Sequence, residues 1–168
     1  MENPVSLRAV EETAELIDPH IVETPVVEWV APELRANLAG DTTVFGKLEL
    51  FQRSGTFKAR GALSNILGLD AEQLRNGVTA MSAGNHAVAV SYAARAAGTH
   101  AKVVMQKTAN PARVELTKTY GAEIVMADDG ASGFAKAEEI SRTEGRFFVP
   151  PFDGPATVKG TATLGREL

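Results

Sequence analysis

The sequence predicts an α/β protein with a mostly parallel sheet. Short apolar runs alternate along the chain with amphipathic segments of about ten residues, an order that is typical of βαβ crossovers. The apolar runs contain few polar residues, as Val103-Val104-Met105 illustrates, and such runs suit strands that are buried on both faces. We therefore expect a three-layer fold in which helices flank parallel sheets on either side.

The composition is that of a globular protein and excludes several kinds of site. The chain has 168 residues, of which 44% are hydrophobic and 23% charged, so it can bury a core. The formal net charge of −4, without a basic block, gives no reason to expect a nucleic-acid partner. The absence of cysteine excludes disulfides, thiolate metal sites and a cysteine nucleophile. We expect no metal, because His20, His86 and His100 lack the spacing of metal ligands.

The N-terminal segment, residues 1–8, lacks the basic and then apolar pattern of a signal peptide. No run reaches the roughly 18 uncharged apolar residues that a membrane span needs. We therefore expect a cytoplasmic protein that does not bind a membrane.

The first third of the chain is predicted to contain two short helices and a strand. Ser6 can cap the first helix, and Asp18-Pro19 ends it, because the residue before a proline avoids the helical region. Residues 32–38 are predicted to form a second helix closed by Gly40, and residues 44–48 a strand. At helical spacing, the apolar stripe of the first helix consists of Leu7, Val10, Ala14 and Ile17.

From Lys58 onward, helices and strands alternate regularly. Glycine follows most of the predicted helices, and Asn110-Pro111 is a strong helix start. The predicted helices are residues 58–67, 70–75, 86–97, 111–120, 132–144 and 156–168. The predicted strands are residues 78–81, 101–105, 123–126 and 146–149.

Two of the predicted helices have an expected inward face. In the helix before the last strand, the spacing of Phe134, Ala137 and Ile140 places them toward the core. In the last helix, Leu164 and Leu168 fall on one side. The sequence stops there without a cap or a polar tail, whereas natural termini are usually polar, so we expect that the chain is cut within an element.

Lys58 is the first candidate for a reactive group. It lies in the run Ser54-Gly-Thr-Phe-Lys58-Ala-Arg-Gly-Ala62, where a small polar turn leads into a helix. The helix dipole presents positive charge to the amine, Arg60 adds more, and burial against Phe57 acts in the same direction. All three favour the uncharged, nucleophilic amine. A lone lysine is most often a solvated surface residue, so the assignment depends on the surrounding motif.

The run Ser82-Ala-Gly-Asn-His86 follows a predicted strand and begins a helix. Backbone N–H groups at a helix start, with the side chains of Ser82 and Asn85, form a site for a carboxylate or another anion, and Gly84 allows close approach of a ligand. The alternative is plain capping of the helix by Ser82 or Asn85. Ligands of open α/β sheets bind at the carboxyl ends of strands, which is where this loop is expected.

Together the two motifs resemble those of the fold-type-II pyridoxal-phosphate enzymes, in particular the N-terminal half of the threonine/serine dehydratase and serine racemase branch. That family writes its lysine motif as Ser/Thr-Gly-Ser-Phe-Lys-x-Arg-Gly-Ala and also has a Ser-x-Gly-Asn-His loop. The similarity covers roughly residues 20–168 in the family's order and spacing. Further matches are Thr24-Pro25, Lys47-Leu-Glu49, Gly121-Ala-Glu-Ile-Val125, Pro151-Phe-Asp153 and the segment from Gly160 through Glu167.

The resemblance implies a three-layer, tryptophan synthase β-like fold with two α/β lobes. Residues 1–75 would belong to the larger lobe, residues 76–150 would form the smaller lobe, and residues 151–168 would return to the larger lobe, which stays incomplete. The family's glycine-rich loop for the cofactor phosphate has no counterpart in the sequence, so we expect it beyond residue 168. The chain alone should then hold the cofactor poorly and have little or no activity.

The resemblance also implies a role for each site residue. Lys58 would hold pyridoxal 5′-phosphate as a Schiff base and then act as acid and base at the substrate Cα. Asn85 would bond the ring hydroxyl of the cofactor, and Phe57 would pack beside the ring. The substrate carboxylate would be held by Ser82, Ala83, Gly84, Asn85 and His86.

The implied activity is the dehydration and deamination of L-threonine or L-serine to a 2-oxo acid and ammonia. The full-length lyase would be a homodimer or homotetramer. Serine racemases of the family place a second serine where Ala83 stands, so elimination is favoured over racemisation, although a racemase stays an alternative. A dehydratase for a hydroxyaspartate also stays open. So does a non-catalytic relic that binds an amino acid or a protein partner.

Overall fold

The structure, a computed structural model, describes residues 5–168 except for the side chains of residues 34 and 35. Residues 1–4, part of the segment without a signal-peptide pattern, lie outside the described residues. The strands are β1 (Val26–Glu28), β2 (Phe45–Lys47), β3 (Val78–Met81), β4 (Ala101–Gln106), β5 (Glu123–Ala127) and β6 (Phe147–Phe148). The helices are α1 (Leu7–Ile17), α2 (Pro32–Asn37), α3 (Lys58–Ile66), α4 (Ala71–Asn76), α5 (Asn85–Ala96), α6 (Pro111–Thr119), α7 (Gly130–Glu144) and α8 (Pro155–Arg166).

Four parallel strands form the central sheet, in the order β5-β4-β3-β6. In β4, Val103 and Met105 pack into a core shared with α3 and α5. Val104 packs into a second core with Ala137 and Ile140 of α7. Because successive strand residues point to opposite faces, both faces of the sheet are covered by helices. The predicted α/β fold with a helix-flanked parallel sheet is confirmed.

Two of the predicted helix starts are confirmed by side-chain caps. The Ser6 hydroxyl accepts a hydrogen bond from the N–H of Ala9 at 3.2 Å. The Asn110 side chain accepts from the N–H of Ala112 at 2.8 Å, and proline occupies the first helical position. Each cap satisfies an N–H group that the helix itself leaves without a partner.

The predicted inward face of α7 is wrong by one residue at Phe134. Phe134 is 37% exposed, whereas Gly133, Ala137 and Ile140 are buried. Gly133 lies so close to the sheet that an added Cβ would stand 2.8 Å from the terminal methyl of Met81. The helix therefore turns its small residue, and not its aromatic one, toward the strands.

The packed face of α8 also differs from the predicted one. Leu168 lies beyond the helix and is 73% exposed, and Leu164 is only half-buried. The buried residues of α8 are Thr157, Gly160 and Thr163. Small residues form this face because α8 lies directly against the backbone of α3, where leucine side chains would not fit.

A small antiparallel ribbon near the N-terminus was only half predicted. Residues 45–47 form the expected strand, and it pairs with residues 26–28, which the sequence did not single out. A strand of three residues is too short to show an alternating pattern. The second helix ends at Asn37, one residue before the predicted end at Leu38, and Leu38 takes the capping position that was expected further on, at Gly40. The division of the chain into lobes at residues 75/76 and 150/151 stays a prediction.

Candidate active site

A tight polar turn places Lys58 at the start of α3. Gly55 has a φ of +69°, a conformation that favours glycine, and its N–H donates to the carbonyl of Gln52 at 2.7 Å. Ser54 and Thr56 are buried in the turn. Lys58 is the first helical residue, as predicted, and no side chain caps the helix ahead of it.

The amine of Lys58 is held inside the fold and does not extend into open solvent. The side chain is half-buried, and its Nζ donates a hydrogen bond to the carbonyl oxygen of Pro151. It also lies 5.2 Å from the centroid of the Phe57 ring. Its charge acts on His86 at the start of α5. Lys58 therefore lies where α3, α5 and the segment after β6 meet.

The sheet topology explains this meeting point. β3 and β6 are neighbouring parallel strands, so the segments that follow them leave the sheet at the same edge. The loop Ser82 to Gly84 follows β3 and leads into α5, and Pro151 follows β6. The predicted loop motif and Pro151, the hydrogen-bond partner of Lys58, thus leave the sheet at the same edge.

The loop after β3 leaves its helix start open. The Ser82 hydroxyl accepts from the N–H of Gly84 at 3.1 Å, and no side chain caps α5, so plain capping by Ser82 or Asn85 is wrong. Within residues 5–168, the N–H groups of Asn85 and His86 have no acceptor. The Asn85 side chain is exposed and makes no hydrogen bond to the described residues. Two backbone donors and one amide are therefore free to bind an anionic or polar ligand.

The imidazole ring of His86 has a structural contact inside the fold. The side chain is buried, and its Nε2 lies 3.0 Å from the carbonyl oxygen of Val149. Burial, with a contribution from the Lys58 charge, lowers the pKa of His86 to about 4, although the bond to Val149 opposes the shift. The imidazole is therefore neutral at pH 7, with its proton on Nε2 donated to that carbonyl. Only the backbone N–H of His86 is left for a substrate.

The predicted contribution of Arg60 to the positive charge around Lys58 is wrong. Arg60 is fully buried and forms ion pairs with Glu49 and Glu167. Two carboxylates balance its charge, so it does not add a net positive charge beside the amine. Sequence spacing could not show this, because Glu167 lies more than a hundred residues away along the chain.

An apolar groove opens beside Lys58, with a volume of about 420 Å³. Phe57 forms part of it, and Phe152, which is 74% exposed, forms another part. That Phe57 packs beside the cofactor ring stays a prediction. The sequence motif Pro151-Phe-Asp153 was matched to the family, but no role was assigned to its aromatic ring. The face of α8 along the groove is formed by Thr157, Val158, Thr161 and Ala162.

A half-buried amine beside an apolar groove, together with an open helix start at the carboxyl edge of the parallel sheet, suits a ligand site in which the amine could act as a nucleophile. The family of pyridoxal-phosphate dependent enzymes matches residues 17–168. The chain belongs to this family, and its structural neighbours share the fold-type-II architecture. The predicted resemblance and the predicted cofactor of the family are confirmed.

The chain is similar to several enzymes of related activity. It is 61% identical to phenylserine dehydratase of Ralstonia pickettii over 126 residues, which cover 75% of this chain and 39% of that protein. It is 43% identical to the catabolic L-threonine dehydratase of Escherichia coli (strain K12), over 74% of this chain and 38% of that one. Maize serine racemase matches in structure with a TM-score of 0.89 at 31% identity, over 98% of this chain and 49% of that chain. The chain thus spans less than half the length of these relatives.

The site residues fit one end of pyridoxal phosphate. An aldehyde needs an amine such as Lys58 Nζ, and the free Asn85 amide suits a ring hydroxyl. The groove beside Phe57 suits an aromatic ring. No glycine-rich turn that could surround the phosphate is found among residues 5–168. In the same part of the chain, no helix is long and apolar enough to cross a membrane.

Proposed function

We propose that the chain provides the cofactor lysine and the substrate carboxylate site of a pyridoxal-phosphate-dependent dehydratase of β-hydroxy amino acids. The observation that carries the proposal is that the Lys58 amine, bonded to Pro151 after β6, acts electrostatically on His86 in the first turn of α5, whose N-terminus is open. The substrate class comes from relatives named as threonine and phenylserine dehydratases. Assembly into a homodimer or homotetramer stays a prediction.

In the proposed reaction, Lys58 and the loop after β3 have different roles. Pyridoxal phosphate, when bound, takes up the electron pair that the Cα proton leaves behind. Lys58 Nζ holds the cofactor aldehyde and then receives the Cα proton. The N–H groups of Asn85 and His86, with the Ser82 hydroxyl, orient the carboxylate, and Ala83 and Gly84 shape the loop without adding charge. Loss of the β-hydroxyl and hydrolysis of the released enamine yield a 2-oxo acid and ammonia.

The groove favours an apolar substituent on the substrate Cβ. Phe57 and Phe152 flank it, and apart from Lys58 no charged residue lines it in the described part of the chain. A phenyl ring or a methyl group is stabilised there by leaving water. The carboxylate of a hydroxyaspartate would lose hydration without a free cation to pair with, because the cofactor aldehyde occupies Lys58. The proposal is therefore directed at phenylserine and threonine before hydroxyaspartate.

Racemisation is the second candidate function, because one of the matched structures is a serine racemase. A racemase has to return a proton to the other face of Cα. Ala83 has no hydroxyl that could supply this proton, and the neutral His86 ring donates its only proton to Val149. The residues described here therefore favour elimination.

The first test is capture of the cofactor by the chain itself. After incubation with pyridoxal phosphate, borohydride reduction and peptide mapping, the label is expected mainly on Lys58, and Lys58→Ala is expected to lose the label and the visible absorbance of the bound cofactor. Lys159→Ala, a lysine of α8 outside the groove, is the matched control and should retain both. Unchanged labelling and absorbance in Lys58→Ala would contradict the assignment.

The second test compares substrates with cofactor at saturating concentration. Without a phosphate cradle we expect slow turnover, but phenylserine should release its 2-oxo acid with about tenfold higher kcat/KM than threonine, because a buried phenyl ring gains more than a methyl group. Phe152→Ala should reduce this preference and leave threonine turnover close to its original value. Racemisation of serine without 2-oxo acid release would support the alternative function instead.

A further inference from the structure

Four charged side chains meet inside the fold behind α3. They are Lys47 of β2, Glu49 just after it, Arg60 of α3 and Glu167 just after α8, and each side chain is at most 10% exposed. We call them the charge cluster. Its formal charges cancel, which limits the cost of placing them in a medium of low polarity.

Arg60 is the centre of the charge cluster. Its Nε and Nη2 donate to the two oxygens of Glu49 at 3.0 and 2.9 Å. Its Nη1 and Nη2 donate to the two oxygens of Glu167 at 2.7 and 2.9 Å. Nη1 also donates to the Thr163 hydroxyl at 3.1 Å. All five donors of the guanidinium are therefore used, in a geometry that only arginine provides.

The other members close the charge cluster around Arg60. Lys47 Nζ forms an ion pair with Glu167 and donates to the carbonyl of Thr24 at 2.7 Å. The Thr24 hydroxyl donates to Glu49 at 2.7 Å. The bonds thus join α3 to the N-terminal ribbon and to the end of α8. The N-terminal ribbon precedes Lys58 along the chain, and α8 follows it.

Stability alone does not explain the charge cluster. A buried ion network is often no more stabilising than a well-packed apolar one of similar volume. The network instead fixes the relative positions of its members, because each charge-assisted hydrogen bond is satisfied in a single arrangement of the side chains. Arg60 lies two residues after Lys58, in the first turn of the same helix, so fixing the guanidinium also fixes the backbone from which the reactive amine extends.

The backbone contacts agree with this role. Gly160 of α8 lies against the carbonyl of Arg60 so closely that an added Cβ would stand 2.4 Å from its oxygen. The same helix contains Thr163 and is followed directly by Glu167, and both are bonded to Arg60. The first turn of α3 is thereby held from its backbone and from its side chain at once.

We infer that the charge cluster is a positioning device for Lys58, with Arg60 as the positioning residue that sets the amine beside the open start of α5. The inference rests on the proposed function, since it assumes that Lys58 is the cofactor lysine. The Arg60 guanidinium bonds to Glu49, Thr163 and Glu167, and not to Lys58 Nζ or to the loop after β3, so it would act through the backbone of α3. It is not a catalytic residue.

The test measures where pyridoxal phosphate is captured in otherwise intact chains. Wild type, Arg60→Lys and Glu167→Gln are incubated with pyridoxal phosphate and reduced with borohydride, which converts the amine–aldehyde adduct into a stable secondary amine. Mass spectrometry of the peptides gives the labelling of Lys58 relative to Lys118, an exposed lysine of α6. Ile140→Val, in the core under α7, is the control for a general loss of stability.

Arg60→Lys keeps the charge but can make only three of the five hydrogen bonds, so the Lys58 to Lys118 ratio should fall about tenfold, as expected for a small misplacement of a reacting group. Glu167→Gln should lower it about threefold, since one bidentate pair is weakened. Circular dichroism checks that each variant is folded. If Arg60→Lys does not fold, Glu167→Gln, which keeps the shape of the side chain, tests the positioning role by itself.

Three outcomes separate the proposals. A wild-type chain without preference for Lys58 would contradict the proposed function itself. A wild-type preference that both variants retain would overturn the positioning role alone. An equal loss in Ile140→Val would also overturn it, because reduced stability would then be a sufficient cause.

Discussion

Gly160→Ala is expected to destabilise the protein by about 3 kcal/mol, at the upper end of the range for overpacked sites. The new Cβ would lie 2.4 Å from the Arg60 carbonyl oxygen, 2.9 Å from its carbonyl carbon and 2.6 Å from the Ser64 Cβ. Two of these atoms belong to the backbone of α3 and cannot rotate away, so α8 has to move off α3. Urea unfolding followed by circular dichroism should show a lower midpoint with an unchanged slope.

Gly165→Ala is the matched control in the same helix. No atom lies within 4 Å of the position of its Cβ, so alanine adds no contact and only restricts the unfolded chain. We expect the free energy of unfolding to rise by about 0.5–1 kcal/mol. A Gly160→Ala protein as stable as wild type would contradict the close packing of α8 on α3, and equal losses in both variants would point to helix propensity as the cause.

Gly160→Ala should also lower the selective capture of pyridoxal phosphate at Lys58. The same displacement of α8 would withdraw Thr163 and Glu167 from Arg60. If the charge cluster positions Lys58 as inferred, stability and the placement of its amine depend on one helix contact, so that a glycine far along the chain from Lys58 has a strong expected effect.

The sheet and most helices could be predicted because their signals are local. Strands such as Val78–Met81 are short, mostly apolar runs that follow a turn residue such as Gly77, and caps such as Ser6 and Asn110 act within three residues. The lysine turn and the loop after β3 were found for the same reason. Each is a contiguous motif at the start of a helix.

Packing partners could not be predicted because they depend on the tertiary structure. Phe134 and Gly133 are adjacent, and only the position of Met81 decides which of them faces the sheet. From the sequence, Arg60 was expected to add positive charge beside Lys58, but the fold places Glu167 against its guanidinium. His86 was expected to help hold the substrate carboxylate, and the partner of its ring, Val149, becomes visible only when β6 is placed beside β3.

The buried imidazole of His86 should make the protein markedly less stable in acid. Its pKa in the folded chain is lowered to about 4, first by burial and further by the charge of Lys58, against 6.5 for an exposed histidine. Between these values the unfolded chain binds a proton that the folded chain excludes, so the free energy of unfolding falls as the pH falls. The full loss between pH 7 and pH 4 is about 3 kcal/mol.

His86→Gln isolates this effect, because a glutamine amide can donate to the Val149 carbonyl but does not titrate. Urea unfolding of both proteins at pH 7, 6, 5 and 4 should show the gap between their stabilities shifting by about 3 kcal/mol in favour of the variant as acid is added. Glu167 also makes the protein less stable in acid. Burial would raise the pKa of Glu167, but the hydrogen bonds from Arg60 and Lys47 outweigh burial and lower it. That contribution is common to both proteins and cancels in the comparison. If the free energies of unfolding of the two proteins changed in parallel with pH, the imidazole would be protonated as readily in the fold as in water. The assignment of His86 as a neutral Nε2–H donor to Val149 would then be wrong.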